Sequence, residues 1–458
     1  MKTIKYILAV CALVLGFQSC CDEPDKYETT DGVPTIRYIR NLGTEITTNT
    51  DPADKVLTNG QLVESASPEA TLCIVGDNLR SIVELYFNDK PATLNSSYIT
   101  DNTMIVVVPK EVPTAVTNLI TMKTADGQEV THPFKVVISA PVLNSADCEY
   151  KRIGETMTIN GRYLIPDELN PLKVEFTNAA GQPVEAEVKN VAEDFTSVTF
   201  VVPEGAVEGP ITVTSVYGAT KTSFNYLDSR GFIFDFDGRT TLSNHGWHSR
   251  EIKSDEWSIC GNYMQLGNGE AVMTADGAWD DGNFSFEYWP GNWKDVEDYA
   301  DDNSFRIFDV ADCSNWQSKT LKFEMCVPKD YPWKAGAMQI AFAGVDKVSQ
   351  GAAGVTDIYG NTLAGCNNVY FNNDVLPRAF YRPWLATGSY DTNDGWVTVS
   401  LPLATSLTFG FSGAAASGSL TDEDFASFLM FVTGGEADNS SDCTPIIKID
   451  NIRIVPNK

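Results

Sequence analysis

Ala70-Thr-Leu-Cys-Ile-Val-Gly-Asp-Asn-Leu79 and Glu155-Thr-Met-Thr-Ile-Asn-Gly-Arg-Tyr-Leu164 follow one pattern. Val83-Glu-Leu-Tyr-Phe-Asn88 and Met104-Ile-Val-Val-Val-Pro109 follow the first; Leu172-Lys-Val-Glu-Phe-Thr177 and Val198-Thr-Phe-Val-Val-Pro203 follow the second. The offset, roughly 85 to 95 residues, is the size of one small β-sandwich. Within each copy, apolar and polar residues alternate along short Val/Ile/Thr runs broken by Gly, Pro, Asn and Asp, the period of half-buried strands. Gly76 and Gly161, at the turn of each copy, are expected to take a positive φ that other residues resist.

These turns and the Val-x-Val-Pro strand ends resemble the immunoglobulin-like IPT/TIG fold. Asp77-Asn78 fits that family's pattern, whereas Arg162-Tyr163 departs from it. The resemblance implies one sandwich over residues 36–139 and a second over 140–228, neither carrying candidate chemistry. Modules of this kind occur in DNA-binding factors and in extracellular spacers, and the segments outside the repeat separate the two.

Upstream, Lys2 and Lys5 precede an apolar run from Tyr6 to Phe17, and Ser19 stands before Cys20. The run is shorter than the roughly 20 residues of a membrane span and fits a secretory leader. Residues 1–19 are read as a lipoprotein signal peptide and Cys20 as the lipidated residue, with Cys21 the alternative carrier. Residues 20–35, with Asp22, Glu23, Asp25, Glu28 and Asp31, make an acidic tether. It resembles the export signal of surface lipoproteins of gut bacteria, which implies an outer-membrane, cell-surface location. Formal charge is −28 over 458 residues, and loss of Lys2 and Lys5 takes it to −30. A body so negative repels nucleic acid and anionic membranes beyond about a Debye length, so a glycan partner is expected to be neutral.

Downstream of the repeat the composition changes. All nine tryptophans lie between Trp247 and Trp396. Strand-like period-two runs continue in Phe232-Ile-Phe-Asp-Phe-Asp237, Leu321-Lys-Phe-Glu-Met-Cys-Val327, Met338-Gln-Ile-Ala-Phe342, Trp396-Val-Thr-Val-Ser-Leu401 and Ile446 to Ile454, with at most a helical turn or two at Asp422–Phe428. Residues 229–458 are therefore read as a larger jelly-roll-type β-sandwich, making the chain all-β: tandem immunoglobulin-like sandwiches, then this domain. Between its strands lie Glu287-Tyr-Trp-Pro-Gly-Asn-Trp293, Tyr331-Pro-Trp-Lys-Ala-Gly336 and Ala379-Phe-Tyr-Arg-Pro-Trp-Leu385. Pro, Gly and Asn beside the rings place these on loops, where an aromatic face can stack on the C–H face of a sugar. Trp247, Trp257, Trp279 and Trp396 are expected instead as core or hinge-packing residues, Trp396 with its ring turned inward.

These segments, with Arg382-Pro-Trp384 and Gly395-Trp-Val-Thr-Val-Ser-Leu-Pro402, resemble the surface glycan-binding lipoproteins of polysaccharide-utilisation loci. The resemblance spans essentially the whole mature chain. It implies a non-catalytic binder of xyloglucan or another β-glucan, with a co-encoded outer-membrane transporter and a surface glycoside hydrolase as partners. It also implies a platform of Trp333, Tyr381 and Trp384, with Trp289 and Trp293 as further binding residues.

Two other classes compete. A glycoside hydrolase needs two carboxylates roughly 5 to 10 Å apart; Glu287, Asp309 and Glu324 are candidates, though Glu287 and Glu324 alternate with apolar neighbours and are expected to face solvent or a sheet partner. A protein-binding adhesin would use the same tryptophan loops on a partner protein. No Ser-His-Asp arrangement or Gly-x-Ser-x-Gly turn occurs, and His245 and His248 lack an obvious third ligand for zinc. No cofactor is expected beyond a structural Ca²⁺ that Asp235, Asp237 and Asp450 could hold if the terminal strands pair. The cysteines lack metal or redox spacing and are read as buried free thiols.

Overall fold

The computed structural model describes residues 29–42, 60–240, 242, 248, 250–288, 305–344 and 373–457. They divide into two compact units: the described residues up to 140 with 165–172 and 215–218, and the described residues within 141–164, 173–214 and 219–457.

The first unit is a sandwich. One sheet runs Thr35–Asn41, Thr71–Asp77, Thr103–Val107, and the other Lys90–Pro91, Ile82–Phe87, Leu119–Thr124, Glu129–Pro133. Alternation in sequence becomes alternation in burial: Leu72, Ile74, Met104, Val106, Ile120 and Met122 face inward and are essentially inaccessible. The pattern shared by the two turns has a different cause from the one expected. Gly76 and Gly161 do not take a positive φ. A Cβ on Gly76 would lie 1.8 Å from the Thr35 carbonyl oxygen, and one on Gly161 would lie 1.9 Å from that of Val142. Both glycines sit opposite a bulge in the neighbouring strand, where the main chains approach too closely for a side chain. The left-handed residue comes two places later, at Asn78 (φ 57°) and Tyr163 (φ 58°).

The second unit opens with the other copy. Its strands Val142–Ala146, Thr156–Arg162, Ser197–Val201, Pro183–Val191, Lys173–Thr177, Gly209–Ser215 and Gly218–Tyr226 form one continuous ladder, because the nine-residue Pro183–Val191 pairs with both Ser197–Val201 and Lys173–Thr177. The C-terminal sandwich follows. Its first sheet runs Glu251–Lys253, Tyr263–Leu266, Ile447–Pro456, Lys319–Cys326, Val397–Pro402, with Phe232–Phe234 also paired to Ile447–Pro456. Its second runs Ser285–Tyr288, Ser427–Thr433, Ala337–Ala343, Arg378–Tyr381. Phe323, Met325, Ile449 and Met264 from one sheet meet Phe286, Met430 and Ile340 from the other in the core. A 3-10 turn at Asp422–Asp424 stands where a short helix was expected.

The outer face of that first sheet is covered by the loop after Val142–Ala146. Cys148 and Tyr150 pack with Phe232, Tyr263, Cys326 and Trp396. Beside them Arg453, fully buried, donates from Nη1 to Glu324 Oε2 at 2.7 Å and from Nη2 to Glu149 Oε2 at 2.8 Å. Lys322 also bonds Glu149, Thr398 Oγ1 donates to Glu324 Oε1 at 2.8 Å, and the Glu149 N–H donates to Thr398 Oγ1 at 2.8 Å. Glu324 thus has buried sheet partners and does not face solvent.

Candidate functional site

In the second sheet of the C-terminal sandwich, residues directly opposite one another line the same face. Ser285, Phe431, Gln339 and Phe380 form one row across the outer face, and Glu287, Leu429, Ala341 and Arg378 the next. Trp279 stands on this face. Its ring meets Phe431 edge-on, with centroids 4.8 Å apart and planes at 83°, and lies 5.9 Å from Phe411. The indole is 47% exposed. Phe380 continues the strip, with Phe409 at 5.8 Å and itself 37% exposed. The Arg382 guanidinium lies 5.1 Å from the Phe380 ring centre.

Trp279 is held out of the core by its backbone. Gly277 takes φ 70°, and a Cβ there would lie 2.3 Å from the Gly434 carbonyl oxygen. The Gly277 carbonyl accepts from Gly434 N–H and from Thr433 Oγ1 at 3.0 Å, which pins the turn to the end of Ser427–Thr433. On the other side the Asp280 carboxylate caps a single helical turn, Asp281–Phe284, by accepting from Asn283 N–H. The indole is fixed between these anchors and leans on Phe431 without entering the core. Beneath the strip, Gln339 Nε2 donates to the carbonyls of Phe411 at 3.2 Å and Thr433 at 3.1 Å, and Gln339 Oε1 accepts from Arg378 Nη1 at 3.1 Å. Burial lowers the Arg378 pKa to about 10 against the opposing pull of Asp374. The platform is rigid from below.

The residues expected to form the platform lie elsewhere. Trp333 and Trp384 are fully buried in the core cluster. Trp333 Nε1 donates to Ala335 O at 2.7 Å and Gly336 O at 3.1 Å, and Trp384 Nε1 donates to Gly336 O at 2.9 Å. The loops that carry them close the end of the sandwich, so each ring caps the core with its one donor satisfied, and neither presents a face to a ligand. Tyr381 is partly buried against the same core, its ring 6.2 Å from Trp333, and burial pushes its phenol pKa up. Trp289 and Trp293 lie outside the described residues. Trp396 is interior, as expected, whereas Trp279 reverses its expected place. Its neighbourhood held the signal. Ala275-Asp-Gly-Ala-Trp-Asp-Asp-Gly-Asn283 surrounds the indole with turn formers and small residues, leaving it no large apolar neighbour to share a core with.

The carboxylates named as hydrolase candidates have structural partners. Glu287 accepts from Ser285 Oγ at 3.1 Å, Asp309 accepts from Arg306 N–H at 2.8 Å, and Glu324 belongs to the Arg453 cluster. Glu287 and Glu324 occupy the outer faces of opposite sheets, and sheets pack about 10 Å apart before outward side chains are added. They cannot flank one glycosidic bond. His248 lies 3.4 Å from Asp281, and His245 falls outside the described residues. Cys148, Cys313 and Cys326 are buried free thiols, but Cys260 is exposed, against expectation.

A family model for the xyloglucan-binding domain of surface glycan-binding protein B matches residues 226–456. A solved surface glycan-binding protein from Prevotella bryantii, PbSGBP-B, is 41% identical, with a TM-score of 0.78 over 93% of this chain and 100% of that one. An IPT/TIG domain-containing protein of Bacteroides ovatus is 27% identical over 237 residues, 47% of this chain and 44% of that protein, so the match spans less than half of the relative's length.

Proposed function

The chain belongs to the surface glycan-binding protein B family, and on that premise we propose that it is a non-catalytic receptor capturing a neutral β-linked plant polysaccharide on the aromatic strip of its C-terminal sandwich. Xyloglucan is the first ligand to test, because the matching domain is named for binding it. The observation that carries the reading is Trp279, an indole 47% exposed on a rigid aromatic bed. Sugar rings have apolar faces, and covering about 60 Å² of indole contributes about 1.5 kcal/mol at about 25 cal/mol per Å². Several such contacts are needed for useful affinity, so Phe409, Phe411 and Arg382 complete the surface. A net charge of −28 favours neutral polymers over acidic ones.

Cys20 carries the lipid anchor, residues 36–139 and 140–228 act as spacers, and many copies on one cell hold one polymer together by effective concentration. A co-encoded transporter and a surface hydrolase take over the captured chain. Calorimetric titration of the full chain with xyloglucan, mixed-linkage β-glucan, glucomannan and galactomannan, with reducing ends assayed in the same samples, tests the reading. Heat without new reducing ends supports a binder, and Trp279→Ala should weaken that binding about tenfold, the equivalent of 1.4 kcal/mol. Unchanged affinity in Trp279→Ala removes the strip from the site. Released reducing ends overturn the non-catalytic assignment.

A further inference from the structure

The last strand, Ile447–Pro456, changes partner midway along one edge. Residues up to Ile449 pair with Tyr263–Leu266, and from Ile452 onward they pair with Phe232–Phe234. The switch falls at Asp450–Asn451, where Asn451 takes φ 54° and kinks the strand. The chain leaving Phe234 supplies Asp235 and Asp237 at this junction, and the chain entering Tyr263 supplies Gly261 and Asn262. The two segments meet, since the Asn262 N–H donates to Asp237 Oδ1 at 2.8 Å, and a Cβ on Gly261 would lie 2.1 Å from Asp237 Oδ2.

Asp450 is fully buried at the centre of this junction. Its Oδ1 accepts the N–H of Asn451 at 2.7 Å, whereas its Oδ2 has no hydrogen-bond partner among the described residues, and neither does Asn451 Nδ2. An ionised Oδ2 lacks a donor and a protonated one lacks an acceptor, so either state leaves a buried polar atom unpaired, at a cost of about 1–3 kcal/mol. The nearby charges deepen the problem. Glu324, Asp237 and Asp235 add like charge close to it. A bound cation resolves all of these at once. It gives Oδ2 a partner, offsets the like charges and ties the two arriving chain segments to the last strand.

We propose that a hard divalent cation, Ca²⁺ by ligand type, binds at the Asp450–Asn451 kink between the ends of the Phe232–Phe234 and Tyr263–Leu266 strands. Among the described residues no three His, Cys, Asp or Glu side chains converge as a ready metal group. Asp235 is already committed to Arg239, which it meets at 3.5 Å, and to the N–H groups of Asp237 and Arg239. The protein ligands are therefore Asp450 and Asp237, with main-chain oxygens and water completing the shell, as Ca²⁺ accepts. Asp237 is exposed and marks the entry path. The site stands on the first sheet of the sandwich and is independent of the glycan strip on the second.

The test strips the full chain with EDTA and titrates it with CaCl₂, following the melting temperature and terbium luminescence. Expected are a saturable rise of about 3 °C or more, half-complete at about 0.1–1 mM, and bound terbium that Ca²⁺ displaces. Asp237→Asn, at an exposed position where an amide oxygen can still accept from the Asn262 N–H, should weaken the response at least tenfold. Asp450→Asn should abolish it while leaving glycan titrations unchanged; should that variant fail to fold, Asp237→Asn carries the test. No saturable response in the parent chain, or an unaltered one in Asp237→Asn, overturns the proposal and leaves the junction to a proton.

Discussion

At the scale of single residues, a tryptophan beside proline meant the opposite of what its flank suggested, whereas the flanks of Trp279 pointed the right way. Trp333 and Trp384 follow Pro332 and Pro383, mark loops correctly, and yet close the core, because a loop at the end of a sandwich can turn its side chains inward. Trp279 shows that the apolar content of the whole surrounding segment carries more information than one adjacent proline. The turn residues carry a prediction. Asn78 holds the left-handed conformation in the first copy and donates from Nδ2 to Val33 O at 3.0 Å. Tyr163 holds it in the second with a side chain poorly suited to it. A left-handed residue other than Gly or Asn costs about 1–2 kcal/mol. Asn78→Ala should therefore lower stability by about 1–2 kcal/mol and Tyr163→Asn should raise it by about 0.5–1 kcal/mol, both measured by urea unfolding of the full chain. Matching signs for the two would show that backbone strain is not the controlling term.

At the scale of elements, period-two alternation gave the strands reliably because each sheet has one face in a core: Thr71–Asp77 and Leu119–Thr124 alternate in burial just as they alternate in polarity. Lys319–Cys326 and Ser427–Thr433 are buried on both faces, so their polar positions, Lys322 and Glu324 among them, mark hidden partners instead of solvent. No sequence rule distinguishes those cases, since an outward charge and a charge paired across an interface look alike in one chain. The turn glycines were legible as necessary, but their reason was not, because close approach of a neighbouring carbonyl depends on a bulge 15 or more residues away along the chain. Gly161→Ala should cost about 2–3 kcal/mol, since the strand pair must part to admit a methyl group. Gly181→Ala, at a φ of 73° with open space around it, should cost less, its strain being confined to the turn. Comparing urea midpoints of the two variants separates crowding from torsional strain.

At the scale of the whole chain, the composition break at the first tryptophan marks a change of fold but not a change of compact unit. Most of the second immunoglobulin-like sandwich shares a single compact unit with the C-terminal one. Their contact was invisible to pattern reading because it joins Glu149 to Arg453 across 304 residues. Removing one partner of a buried ion cluster typically costs about 3–5 kcal/mol by stranding the others. Glu149→Ala should therefore destabilise the C-terminal sandwich by that order, although its substitution is remote from every strand of that sandwich in sequence. Residues 229–458 alone should likewise melt below residues 141–458 in calorimetry. Equal melting temperatures would mean that the cluster contributes little beyond specificity of docking.

That tie also governs how force would travel. A long polymer held at one end and drawn away by flow or by a processing enzyme exerts a pull on whatever grips it. At a flexible junction the gripping domain would swivel into line with the pull before any load passed along the chain. With Glu149 held between Lys322 and Arg453 of the C-terminal sandwich, turning the domain requires dragging a buried carboxylate from both of its cations. The gripping surface therefore keeps its attitude toward the second immunoglobulin-like sandwich under load.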